Sequence, residues 1–104
     1  MTLNQLRILV AIVDAGYNIT HAAERVHATQ PGLSKQLKQL EEYLGLVLLV
    51  RRGKSLTGLT PAGERVVVHA RNALAEARAI RALANAERGV ERGLRIAALH
   101  AQAS

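Results

Sequence analysis

Leu33, Leu37, Leu40 and Leu44 recur at steps of four, three and four. That spacing gathers all four on one face of an α-helix and would scatter them over both faces of a strand. Thr29 precedes the stripe as an N-cap residue and Gly45 follows it as a C′ residue, so both ends of the helix are marked. Pro31 falls at N2, where its missing N–H has no intrahelical partner to lose. Burying each leucine is worth on the order of 1.5–3 kcal/mol, enough to decide which face looks inward. With no Phe, no Trp and only two tyrosines in 104 residues, the interior must be built from Leu, Ile, Val and Ala, which favours closely packed helices. A chain of this length has room for one compact domain and one extended element.

Other helices carry comparable marks. In TLNQLRILVAIVDAG, residues 2–16, Thr2 and Gln5 form a capping box, Leu3, Leu6, Leu9, Val10 and Val13 share a face, and Gly16 supplies the stop. Asn18 caps a short helix, ITHAAERV, with Ile19, Ala22, Ala23 and Val26 inward. After the leucine helix, the run LVLLV at residues 46–50, the turn RRGKSLTG and Leu59 predict a small β-hairpin. Thr60 and Pro61 are an N-cap and N1 pair opening a helix of about 28 residues that is expected to end at Gly89 and Gly93, with LRIAAL (94–99) as a buried strand. Along this helix Val66, Ala70, Ala73, Ala77, Ile80 and Ala84 alternate steps of four and three, a narrow seam suited to a second helix. That seam fits a second copy of the chain or the chain's own head.

Fourteen Lys and Arg against eight Asp and Glu leave a formal charge of +6, the signature of a polyanionic partner. No apolar run approaches the roughly 18 residues that span a bilayer, and the N-terminus lacks a basic region followed by a cleavage site. Without cysteine there is no disulfide, thiolate metal site or Cys nucleophile. The charge is organised. Two helices joined by His27, Ala28 and Thr29 have the proportions of a helix-turn-helix. Opposite its leucines the second presents Gln30, Ser34 and Lys38 at i, i+4 and i+8, with Lys35 beside them. The hairpin adds Arg51, Arg52 and Lys54, with no acid from residue 43 through 63. Backbone gripping by the hairpin and base reading by the helix predict a winged helix-turn-helix that binds double-stranded DNA. In that setting Gly32 removes a side chain where the helix tip approaches DNA most closely.

The order MTLNQLRILVAIVDAG, HAAERVHATQPGLSKQLKQLEEYLG and Thr60-Pro-Ala-Gly63 resembles the N-terminal DNA-binding domain of LysR-type transcriptional regulators over essentially residues 1–92. RRGKSLTGLTPAG and IAALHAQAS look most like the CysB/Cbl branch, regulators of sulfur assimilation. The resemblance implies a mostly α fold: a winged helix-turn-helix of three helices and a small β-hairpin at residues 1–60, then a linker helix at 61–88 that dimerises through its partner's copy. It further implies that residues 89–104 are a hinge and the start of an effector-binding domain otherwise missing, so that the chain looks like a fragment or a truncated product and a small-molecule effector belongs to a full-length relative. Within the family, positions matching Gln30, Pro31, Ser34, Lys35 and Arg51 approach DNA. Leu49 stands where the family usually has Phe, a change in hairpin packing, and His100 lies where the branch often has Thr or His near its anion site. A cytoplasmic, nucleoid-associated protein follows.

Plainer readings exist for the same residues. Lys35 and Lys38 fit a merely solvated face, and Arg51 and Arg52 fit an edge strand guarded against aggregation. Gly53-Lys54-Ser55 looks like the end of a P-loop, but Leu48 stands where that motif needs glycine. His21 and Glu24 have metal-ligand spacing without matching partners in His27, His69 or His100, so no metal or cofactor is expected. No Ser, His and acid set has the signature of a nucleophile, so no enzyme is expected either. The lack of Phe and Trp disfavours base-stacking platforms for single strands, and the lack of large interfacial aromatics disfavours membrane association. The rival function is a helical protein–protein dimerisation module whose charge is incidental.

Overall fold

The structure, a computed structural model, describes the backbone of residues 1–103 and the side chains of residues 1–89. Its elements are α1 (Leu3–Asp14), α2 (Ile19–Arg25), α3 (Gln30–Leu44), β1 (Leu49–Arg52), β2 (Ser55–Leu59) and α4 (Pro61–Ala103). Met1–Leu74 form one compact unit and the remainder of α4 a second.

The caps do what the sequence predicts. Gln5 N–H donates to Thr2 Oγ1 while Thr2 N–H donates to Gln5 Oε1, both at 3.1 Å, closing the capping box of α1. His21 N–H donates to Asn18 Oδ1 at 3.0 Å at the start of α2, and Gly32 N–H to Thr29 Oγ1 at 3.1 Å at the start of α3. Gly45 ends α3 in the left-handed region at φ +66°.

Leu33, Leu37 and Leu40 are at most 2% exposed, in one core with Ile8, Leu9 and Ile12 of α1 and Ala22 and Ala23 of α2. The inward arc of α1 differs from the expected one: Leu3 is 53% exposed, whereas Ile8, Ile12 and Gln5 are buried. The box explains part of this. Gln5 spends its carbonyl on the cap and donates its Nε2 to Gln36 Oε1 of α3 at 3.2 Å, so a polar side chain enters the core satisfied.

The hairpin is antiparallel, with Gly53 and Lys54 as a two-residue turn between paired Arg52 and Ser55. Gly53 at φ +60° supplies the positive φ that the first position of a II′ turn requires. Pairing runs Leu49↔Leu59 and Val50↔Gly58, then Arg51↔Leu56, so Thr57 is an extra residue that bulges β2. The first strand starts at Leu49, leaving Leu46 and Val47 as an exposed lead-in, while Leu48, Leu49 and Leu56 join the core.

Thr60 locks α4 onto this lead-in. Its hydroxyl donates to Val47 O at 2.6 Å and accepts from Gly63 N–H at 2.9 Å, and its own N–H donates to Leu48 O at 3.0 Å. A Cβ at Gly63 would sit 2.1 Å from that same Leu48 oxygen, so only glycine fits the first turn of α4 here. Val67 and Ala70 are buried beyond it, which carries the compact unit past residue 60 to Leu74. Asp14 at the end of α1 receives Arg71 at 2.6 Å. The hydrogen bond from Arg71 lowers the Asp14 pKa against a small opposing cost of burial, with the charges of Arg71 and Arg25 adding to the lowering.

Two sequence expectations fail in α4. The helix does not end at Gly89 or Gly93, and residues 94–99 are helical, not a strand. Each glycine costs only about 1 kcal/mol of helix propensity, while Glu, Arg, Leu and Ala around them favour the helix. The side chain of His100 lies outside the described residues.

Two stability predictions follow from these contacts. Gly63→Ala lowers unfolding stability by about 2–3 kcal/mol in urea titration followed by circular dichroism, whereas Gly58→Ala, with no atom within 4 Å of its Cβ, costs far less; equal losses would contradict the close approach. Because the folded-state pKa of Asp14 is depressed, its stabilisation is present above the ordinary carboxylate pKa of about 3.9 and fades as pH falls through the lowered value. Asp14→Asn therefore costs at most about 1 kcal/mol near neutrality, the pair being largely exposed, and progressively less as pH falls through the lowered pKa; a loss unchanged by acidification would contradict the ion pair.

Candidate nucleic-acid interface

Sequestering the leucines leaves Gln30, Pro31, Ser34, Lys35 and Lys38 exposed on the opposite arc of α3. Arg51, Arg52 and Lys54 are likewise exposed on the hairpin. The fold joins the two sets at both ends of α3. At its N-terminal tip, Gln30 and Lys54 line one cleft of about 420 Å³ with Tyr17, Asn18 and Ser55. Toward its C-terminal end, Lys38 and Arg51 line a second concavity of about 340 Å³ with Glu41, Glu42 and the exposed Leu46 and Val47. Ser34, Lys35 and Arg52 make no side-chain hydrogen bond or ion pair among the described residues and stand open to solvent.

Glu41 holds the second junction. Its Oε2 accepts from Leu48 N–H at 2.8 Å and its Oε1 lies 3.5 Å from Arg51 Nη2, so one carboxylate of α3 fixes both the lead-in backbone and a hairpin cation. Its side chain is 14% exposed while that of Arg51 is 51% exposed, so Arg51 keeps guanidinium donors facing solvent. The sequence suggests pairing of Glu41 with a neighbouring cation; its grip on a backbone N–H has no signature there.

Thr20 is a residue that sequence reasoning missed. Gln30 Nε2 donates to Thr20 Oγ1 at 3.1 Å, across from the first turn of α2 to the first turn of α3. The other amide N–H and the carbonyl oxygen of the exposed Gln30 make no hydrogen bond among the described residues, and a Gln amide with both groups free can engage the major-groove edge of adenine. The available signal was geometric: a helix-turn-helix brings the first turns of its two helices together.

Gly32 also has a local role beside the space it leaves at the tip. A Cβ there would meet Thr29 Oγ1 at 2.9 Å, the oxygen that caps α3.

The expected seam on α4 is divided. Ala70 is buried in the core of its own head, and Val66 and Ala73 are half-buried against it. These three line an apolar groove of about 260 Å³ with Met1, Leu6, Leu44 and His69. Ala77 is half-exposed, Ala84 is exposed and Ile80 is 68% exposed. Among the described residues, no group of three His, Cys, Asp or Glu is placed to hold a metal ion, and no helix is long and apolar enough to cross a membrane.

Three short helices with a hairpin set beside the third make this a winged helix-turn-helix protein. The family model described as bacterial regulatory helix-turn-helix protein, lysR family, matches residues 3–64, and the chain belongs to that family. Over 104 residues, 99% of this chain, it is 42% identical to the HTH-type transcriptional regulator CysB of Haemophilus influenzae, covering 32% of that protein. It is 42% identical to CysB of Thiocapsa roseopersicina, covering 76% of it, and 38% identical to the regulator Cbl of Escherichia coli, covering 33%. The chain thus spans about a third of the length of the first and last of these relatives. Among solved structures, the BenM DNA-binding domain in complex with benA site 1 DNA superposes with a TM-score of 0.73 at 33% identity, over 82% of this chain and 93% of that one.

Glu41→Gln tests the junction. It keeps an oxygen for Leu48 N–H but removes the charge facing Arg51; the fold should survive with a loss of about 0.5–1 kcal/mol, while Glu41→Leu, which leaves Leu48 N–H without its acceptor, should cost about 1–3 kcal/mol. Equal losses in urea titration would contradict the double role.

Proposed function

We propose that this chain is the sequence-specific duplex-DNA-binding module of a transcription regulator, working as a homodimer on dyad-symmetric sites. The observation that carries the reading is the amide of Gln30, held by Thr20 at the exposed tip of α3 with two hydrogen-bonding groups free among the described residues. In this reading α3 enters the major groove, where Gln30, Ser34, Lys35 and Lys38 meet base edges, and Pro31 shapes the tip. Arg51, Arg52 and Lys54 neutralise phosphates beside it. The solved DNA complex of the similar BenM domain supports the partner. CysB and Cbl among the relatives support a role in sulfur assimilation, exerted at the nucleoid in the cytoplasm.

The head is the winged helix-turn-helix, and residues 61–88 of α4 link and dimerise. One chain carries both an apolar groove, lined by Val66, Ala70 and Ala73, and apolar knobs at Ile80 and Leu83, 68% and 61% exposed. A two-fold interface requires both on the same molecule.

Fluorescence anisotropy with duplex DNA across a salt series tests the DNA reading. Gln30→Ala should weaken a preferred site by about 1–3 kcal/mol and relax its sequence preference, whereas Lys54→Ala should weaken all sequences alike and lower the salt slope by about one. Binding that is absent, or indifferent to salt, would leave the rival dimerisation module. Ile80→Asp should convert the sedimenting dimer to monomer; an unchanged dimer would place the interface elsewhere.

A further inference from the structure

We propose that the cleft between the α1–α2 loop, the tip of α3 and the hairpin turn seats one sugar-phosphate strand of the bound duplex, with Tyr17, Asn18 and Ser55 as backbone-contacting residues. The proposal rests on the functional reading above and adds a third element to the interface. The cleft of about 420 Å³ is lined by Gly16–Ile19, Gln30 and Lys54–Leu56, and no acidic residue is among them.

Besides Gln30, which donates to Thr20, its polar side chains offer donors without internal acceptors among the described residues. Asn18 Oδ1 is occupied by His21 N–H, which leaves the Asn18 Nδ2 donor unused. Among the described residues the Tyr17 phenol, the Ser55 hydroxyl and the Lys54 ammonium make no hydrogen bond or ion pair. Tyr17 is held at φ +67°, outside the ordinary range for a side-chain-bearing residue, with its ring half-buried against the core. Non-glycine residues in that region cost free energy and persist where the surroundings fix them.

Position supplies the rest. A helix that reads the major groove and a hairpin that reaches the backbone or minor groove beside it stand on opposite sides of one phosphate strand. A cleft between the Gln30 tip and the Lys54 turn is therefore where that strand must run, and three further neutral donors line it. Neutral donors fix register on the duplex without releasing counterions, in contrast to Lys54.

Duplex-binding anisotropy with Tyr17→Phe, Ser55→Ala and Asn18→Asp tests this, with melting curves to confirm folding. Asn18→Asp keeps the cap oxygen for His21 N–H and replaces a donor by a negative charge. Tyr17→Phe and Ser55→Ala should each raise Kd by about three- to tenfold, and Asn18→Asp by at least about tenfold. The neutral pair should act equally on preferred and unrelated duplexes and leave the salt slope unchanged, unlike Lys54→Ala. If the unsubstituted protein binds duplex in a salt-dependent manner and all three variants bind as tightly, the cleft proposal is overturned while the functional reading stands. If the unsubstituted protein binds no duplex, both fall.

Discussion

Burial of Leu33, Leu37 and Leu40 is the constraint on which the rest of the head depends. All three are 0–2% exposed against α1 and α2, together worth on the order of 5–9 kcal/mol, comparable to the whole net stability of a small domain. With that stripe fixed inward, rotation of α3 by even one position would expose a leucine. The outer arc bearing Gln30, Ser34, Lys35 and Lys38 is therefore set by apolar packing on the other side of the helix. The buried hydrophobic side chains are all aliphatic, so this orientation depends on shape and area and needs no aromatic anchor.

Polar contacts then place the hairpin and α4 with respect to α3. Glu41 binds the backbone and the cation of the hairpin's approach, Thr60 binds the carbonyls of Val47 and Leu48, and Gly63 allows the first turn of α4 to lie against the Leu48 oxygen. These contacts converge on residues 47 and 48, so the lead-in to β1 is a joint between three elements. The basic side chains stay outside this joint, where their donors remain available to an external anion. Of Lys35, Lys38, Arg51, Arg52 and Lys54, Arg51 alone is paired among the described residues, with Glu41.

Much of this was legible in the sequence because it is local. Thr2 with Gln5, Asn18, Thr29 with Gly45, and Thr60 with Pro61 each act within a turn of themselves, and the leucine stripe repeats often enough to declare its face. What was not legible depends on distant partners. Gln5 enters the core because Gln36 receives it, and hydrophobic periodicity counts such a residue as outward. Gln30 finds Thr20 ten residues back, the bulge at Thr57 follows from strand pairing, and the need for Gly63 comes from a carbonyl fifteen residues earlier. At the other end, Gly89 and Gly93 mark a stop in the local pattern, yet the helix runs through both, because the modest cost of each glycine is outweighed by the helix formers around it. The seam on α4 was one pattern in the sequence, yet the core takes Ala70 and leaves Ile80 in solvent.

In the proposed function the division of labour is physical: cations would give affinity that any duplex satisfies, while the amide of Gln30 and its neighbours would discriminate among base edges. Two copies related by a two-fold axis would impose that discrimination twice, at a spacing fixed by protein and not by sequence. Selection of bound duplexes from a random pool with the 104-residue protein measures all of this at once. The account predicts enrichment of two inverted half-sites separated by one helical turn, about 10 bp, or a multiple of it. A pool that stays unenriched, or that yields a single half-site without dyad symmetry, would contradict it.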